Sequence, residues 1–119
     1  MLHRMTDDYW HVVAGVVEEG ETFDEAAARE LREETGLDAV VVAVGIQQTY
    51  RVPDEWRSEY LAGVSAVAIE NFAVKVPHAW EPLLNEEHDY YQWLSPTEAI
   101  AIAHWPETKE VIAAVAASW

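Results

Sequence analysis

The chain has 119 residues, half of them hydrophobic, with 22 acidic and 7 basic side chains, a net charge of −15 and no cysteine. That length suits one compact domain. The missing cysteines exclude disulfides, thiolate metal sites and cysteine nucleophiles, and the charge argues against binding duplex DNA or RNA.

In chain order, Met1 to Arg4 reads as the tail of a strand, and Tyr9 to Ala14 as a strand entering a glycine turn. Thr22 followed by Glu25 is a capping box, so a helix is predicted from Phe23 to about Thr35, with Gly36 as a left-handed cap. Ala39 to Gln48, rich in valine, predicts a buried strand, and Arg51 to Glu59, which contains Pro53, a loop. Val64 to Val76 reads as a strand broken near Glu70-Asn71, Pro77 to Glu87 as a loop, and Tyr90 to Leu94 as a short strand. Ser95 to Glu98 is a second capping box opening a helix to about His104, and Pro106 opens a last helix packing Val111, Ile112 and Val115. The order predicts an α/β sandwich with a mixed sheet between helices. No apolar run spans a membrane and no signal peptide is visible, so a cytoplasmic location is the expectation.

The chemistry concentrates in residues 15–37, GVVEEGETFDEAAARELREETGL. At about 100° per residue, Phe23, Ala27 and Leu31 share an apolar stripe. Glu30, Glu33 and Glu34 line its edge, Glu34 almost inside it, while Arg29, Arg32 and Glu25 point elsewhere. Carboxylates crowded against a core repel each other and lose hydration, so they call for a cation. Oxygen-only donors suit Mg²⁺ or Mn²⁺. Such a site serves attack of water on a phosphoanhydride, with a nearby carboxylate taking the proton.

The same run matches G-x5-E-x7-R-E-U-x-E-E-x-G-U, with U aliphatic, at Gly15, Glu21, Arg29, Glu30, Glu33, Glu34 and Gly36, plus Leu31 and Leu37. At a usage of roughly one in fifteen per residue type, seven such matches coincide by chance about once in 10^8 start points. The chain thereby resembles the Nudix hydrolases. The resemblance implies a single domain over residues 1–119 with a Nudix-type α/β/α fold whose first strand is shortened. It implies that Glu30, Glu33 and Glu34 hold Mg²⁺ (or Mn²⁺), and that Arg29 braces the glutamates. Gly15, Glu21 and Gly36 are structural, and the main chain at Ala14, where many members carry a second glycine, completes a metal shell.

The flanks narrow the branch. Y-L-A-G-V, N-E-E-H-D-Y-Y-Q-W-L and H-W-P-E-T-K-E-V-I look like nucleoside triphosphate pyrophosphohydrolases, above all those acting on dihydroneopterin triphosphate. That likeness makes Glu87, of the Glu87-His88 pair, a fourth metal ligand, with Glu86 as its rival. The catalytic base comes from Glu30, Glu33 or Glu87. Arg4 contacts substrate phosphates and Trp10 stacks on a base or pterin ring. Arg51, Arg57 and Lys75 are further phosphate candidates. The partner is a small nucleotide or pterin triphosphate, and the assembly a homodimer. A second reading is hydrolysis of dinucleoside polyphosphates or ADP-ribose, since Pro53, sixteen residues past the run, resembles the proline of ADP-ribose pyrophosphatases, and a nucleotide sensor without catalysis is a third. The five histidines show no metal-ligand spacing, so His88 is expected to position its loop.

Overall fold

In the computed structural model, residues 1–51 and 66–118 are described. Arg57, Pro53 and the start of the strand expected from Val64 lie outside them. The elements are β1 (Leu2–Arg4), β2 (Tyr9–His11), α1 (Phe23–Thr35), β3 (Val42–Arg51), β4 (Ala66–Ala73), β5 (His88–Tyr91), α2 (Pro96–Ile102) and α3 (Pro106–Ser118). No helix among the described residues is long and apolar enough to cross a membrane.

Helix α1 begins and ends where local chemistry dictates. The Thr22 hydroxyl accepts from the Glu25 N–H, and the Glu25 carboxylate accepts from the Thr22 N–H at 2.9 Å. Gly36, at φ 77°, donates its N–H to Arg32 O at 2.9 Å. A left-handed residue here would carry a steric cost with any Cβ. The buried face is Ala26, Leu31, Glu34 and Thr35, and Phe23 is 44% exposed. The apolar stripe expected to start at Phe23 is therefore displaced to Ala26 and Leu31. Helix α2 repeats the capping logic with Ser95 and Glu98, and Pro96 sits in its first turn.

The first sheet runs β2-β1-β5, entirely antiparallel. Leu2 pairs with His11 on one side and Tyr91 on the other, so the three-residue β1 is a central strand flanked on both edges. Opposite the step from His3 to Arg4, β5 advances from Tyr90 to His88, leaving Asp89 bulged. The extra residue reorients the strand, and the Asp89 carboxylate meets His3 Nδ1 at 2.6 Å. Trp10 also forms a parallel bridge to Ala103, just past α2. Every strand pair among the described residues is antiparallel, so the parallel pairing expected of a mixed sheet is reduced to this bridge.

The second sheet pairs β3 with β4, and here the expectations need correction. Residues 39–48 do not form a buried strand: Val40 is 86% and Val42 50% exposed. Val40 and Val41 precede the ladder, and Val42 opens a sheet that has only two strands among the described residues. β4 is continuous through Glu70-Asn71, and the irregularity lies on β3 between Ala43 and Gln47. Gly45, at φ 75°, makes the bulge, and Asn71 fills it by donating to Ile46 O at 2.9 Å and Gln48 Oε1 at 3.0 Å. Helix α1 packs against β4 and α3 against β3.

Candidate active site

Three elements converge on Glu34. From α1 comes the carboxylate itself, 3% exposed; from β2 comes His11, 6% exposed; from β5 comes His88, 4% exposed. Their donor atoms all lie within 4.8 Å of one another. Glu34 Oε2 is buried and has no hydrogen-bond partner among the described residues. Burial pushes the Glu34 carboxyl up to about 8, and the adjacent Glu30 carboxylate adds to this, while the Ala14 N–H works the other way. Burial beside Glu30 thus disfavours the charged form of Glu34 until a cation compensates it.

Gly15 sets the approach of the preceding loop. A Cβ on this residue would run into the Glu30 carboxyl group. Only a residue lacking Cβ lets the main chain at Ala14 and Gly15 close over that carboxylate.

Arg29 organises the other acids. Its Nε and Nη2 donate to the two Glu21 oxygens at 2.8 and 3.0 Å, and Nη1 donates to Glu30 Oε1 at 2.8 Å and Glu33 Oε2 at 3.2 Å. Nη2 also caps Val16 O at 2.9 Å, tying the loop to the helix. Helical phase suggests that Arg29 faces away from the glutamates. The long side chain instead curls back over them, its guanidinium held far above its usual range by Glu21 and Glu30. Glu21 in turn accepts from the Glu18 N–H at 2.9 Å, and its carboxyl is depressed chiefly by Arg29.

The remaining candidates stand at graded distances. Glu33 is 54% exposed and turned toward Arg29. Glu87 is 55% exposed, 3.6 Å from Arg4 Nη1, yet close enough for its charge to raise the Glu34 carboxyl. Arg4 donates its Nε to Asp7 at 2.7 Å. Trp10 pairs with His3 and packs against its ring, centroids 5.1 Å apart, which puts it on the sheet face opposite Arg4 and His11. The structure therefore gathers Glu30, Glu34, Ala14 and Gly15 into one nest, with Arg29, Glu21 and Glu33 beside it and Arg4 with Glu87 across from it.

What the sequence reading missed is the histidine pair. His11 and His88 are 77 residues apart, and their Nε2 atoms meet at 2.7 Å. Burial lowers both imidazoles, His11 to about 4, and keeps them neutral. Asn85 Oδ1 accepts from the Glu87 N–H at 3.2 Å and meets His88 Nδ1 at 2.9 Å. His88 thus does hold its loop, as expected, but it also reaches Glu34 Oε1 at 3.6 Å. No linear spacing signals this arrangement. Only pairing of β2 and β5 across β1 creates it.

The acids and the glycine approach fit a centre for hard divalent cations. A NUDIX domain profile matches residues 2–115, and the chain belongs to the NUDIX domain family. It is a hydrolase of pyrophosphate bonds. Over 108 residues it is 35% identical to dihydroneopterin triphosphate diphosphatase of Escherichia coli K12, covering 86% of this chain and 71% of that protein. The solved structure of the E. coli dihydroneopterin triphosphate pyrophosphohydrolase superposes with a TM-score of 0.86 at 29% identity, over 100% of this chain and 85% of the other. A Caenorhabditis elegans Ap4A hydrolase shares the fold, with a TM-score of 0.74 at 22% identity over 98% and 82% of the two chains.

Proposed function

We propose that this chain hydrolyses a nucleoside or dihydroneopterin triphosphate to the monophosphate and pyrophosphate, with Mg²⁺ or Mn²⁺ as its cofactor. The observation that carries the reading is Glu34, buried against Glu30 with an orphaned oxygen and a glycine held open opposite. The 35% identity to a diphosphatase of that substrate class supports the choice of triphosphate.

The donor set fits the cation. Glu30 and Glu34 would hold it, Glu33 and Glu87 would add ligands as side chains reorient, and the main chain at Ala14 would complete the shell. The bound ion would neutralise phosphate oxygens and acidify water. The chain's own groups do the rest. Arg29 keeps Glu30 aimed across the loop while binding Glu21 with its other nitrogens. A carboxylate among Glu30, Glu33 and Glu87 takes the proton from the attacking water as the bridging oxygen departs with pyrophosphate. Arg4, already facing Glu87, turns its guanidinium to the phosphates, for which a planar fork is well suited. Trp10 remains the aromatic candidate for the base or pterin, from the sheet face opposite Arg4. A net charge of −15 leaves a small anion reachable only through these local positive groups, and nucleic acid is no partner. A homodimer in the cytoplasm completes the proposal.

The test is a screen of nucleoside triphosphates, dihydroneopterin triphosphate, dinucleoside polyphosphates and ADP-ribose with Mg²⁺, reading monophosphate and pyrophosphate. Glu34→Gln should abolish turnover and leave the fold intact. AMP plus a sugar phosphate from ADP-ribose, with no pyrophosphate from any triphosphate, would overturn the substrate class. Wild-type turnover by Glu34→Gln would overturn the site.

A further inference from the structure

The meeting of His11, His88 and Glu34 goes beyond a hard-cation centre. Hydrogen positions follow from the network. Asn85 Oδ1 accepts from the Glu87 N–H, so the same oxygen takes the proton of His88 Nδ1. In a neutral ring, His88 Nε2 then carries a lone pair, and the 2.7 Å contact requires the proton to sit on His11 Nε2. Next to this pair, Glu34 Oε1 stands 3.6 Å from His88 Nε2, and Oε2 is unpartnered. Three buried metal-ligating side chains therefore converge, their donor atoms within 4.8 Å of one another.

We infer that His11 Nε2, His88 Nε2 and a Glu34 oxygen form a second metal site, selective for a borderline transition ion such as Zn²⁺ or Co²⁺. Two imidazoles and one carboxylate are the donor set such ions take, with open positions left for water. Mg²⁺ disfavours the nitrogens. Zinc bonds each imidazole at about 2.0–2.1 Å, so its ligand atoms stand somewhat over 3 Å apart. The histidines need to part slightly from 2.7 Å, and Glu34 to close from 3.6 Å on His88 and from within 4.8 Å on His11. His11 moves its proton to Nδ1 and donates the freed Nε2 lone pair. The Asn85 bond to His88 Nδ1 is the outer-shell contact that orients a ligating imidazole. Entry is from the side of Glu30, whose side chain is 18% exposed. Because Glu34 belongs to both sets, an ion held by the histidines withdraws that carboxylate from the oxygen centre.

The experiment is titration of Co²⁺ into the metal-stripped full chain without nucleotide, so its outcome is independent of the substrate assignment. One equivalent should bring up the strong visible bands of a low-coordinate, nitrogen-ligated ion, and Zn²⁺ should displace it. His11→Gln and His88→Gln, checked for folding by circular dichroism, should each lose those bands and weaken Zn²⁺ binding by about 100-fold, the upper end of what even an orienting partner contributes. In the unsubstituted protein, zinc should shift the ¹⁵N resonances of both Nε2 atoms. Only the pale spectrum of a six-coordinate ion, or unmoved histidine resonances at zinc saturation, overturns the site whatever the variants do.

Discussion

Replacing Gly15 with alanine separates the chemistry of the site from the stability of the fold. Gly15 is not among the positive-φ residues, so alanine meets no backbone penalty there. Its one obstacle is the Glu30 carboxyl, into which the new Cβ projects. Overpacking of this kind costs about 1–3 kcal/mol when neighbours are rigid. Glu30 is the end of a flexible side chain, and an off-rotamer shift costs about 0.5–1.5 kcal/mol. The thermodynamic loss should therefore be about 1 kcal/mol. Displacing a ligand by about 1 Å, in contrast, costs on the order of 100-fold in rate, or about 2.7 kcal/mol of barrier. Gly20 is the control. It sits at φ 84° with open space around its Cβ position, so Gly20→Ala strains the backbone by about 1–2 kcal/mol but touches no acid. Thermal melts and Mg²⁺-supported kcat on both variants decide the matter. Both variants should melt a few degrees early, but Gly20→Ala should keep near-normal kcat and Gly15→Ala should lose about 100-fold. A Gly15→Ala enzyme with unchanged kcat would refute the argument that this glycine exists to admit Glu30.

Arg29→Met should lower kcat more than Arg29→Lys, since only a guanidinium spans Glu21, Glu30 and Val16 at once; steady-state kinetics of the two decide. Asn71→Ala removes two hydrogen bonds from the β3 bulge and should cost about 1–2 kcal/mol in urea unfolding, with no change in KM. His3 is raised by Asp89 and Asp8, so its ion pairs stabilise the fold fully below the unfolded histidine pKa and fade as pH climbs through the folded one. The Tm gap between wild type and His3→Gln should therefore be widest near pH 6 and narrow by pH 9. EDTA should abolish hydrolysis, and Mg²⁺ or Mn²⁺ should restore it while raising Tm, because the ion relieves the Glu30–Glu34 crowding.

Features written by neighbouring residues were legible from the sequence. Both capping boxes, Thr22 with Glu25 and Ser95 with Glu98, start helices where the local pattern places them, and Gly36 ends the first. The acid run and its glycine could be read for the same reason. Strand limits were displaced by a few residues, because partners across the sheet, not local propensity, decide where pairing stops. Residues 39–48 looked buried only because valine content does not reveal whether a second layer covers both faces. The direction of Arg29 was misjudged because helical phase places a Cβ, while the guanidinium lies several bonds beyond it. His11 and His88 were invisible as a pair, since their meeting depends on β1 standing between their strands.

The bulge at Asp89 fixes how the adjoining segment tolerates insertions and deletions. Glu87 looks outward to Arg4, His88 inward to Glu34, and Asn85 anchors the pair from three residues upstream. Adding or removing one residue between Asn85 and Asp89 would exchange the two side chains, burying an acid and expelling an imidazole. Upstream, Leu83 pins the chain again by donating its N–H to Thr35 O at 2.8 Å, and chain length can drift only before it. Homologous chains that align across this stretch should therefore vary in loop length on one side of an asparagine and keep strict count on the other.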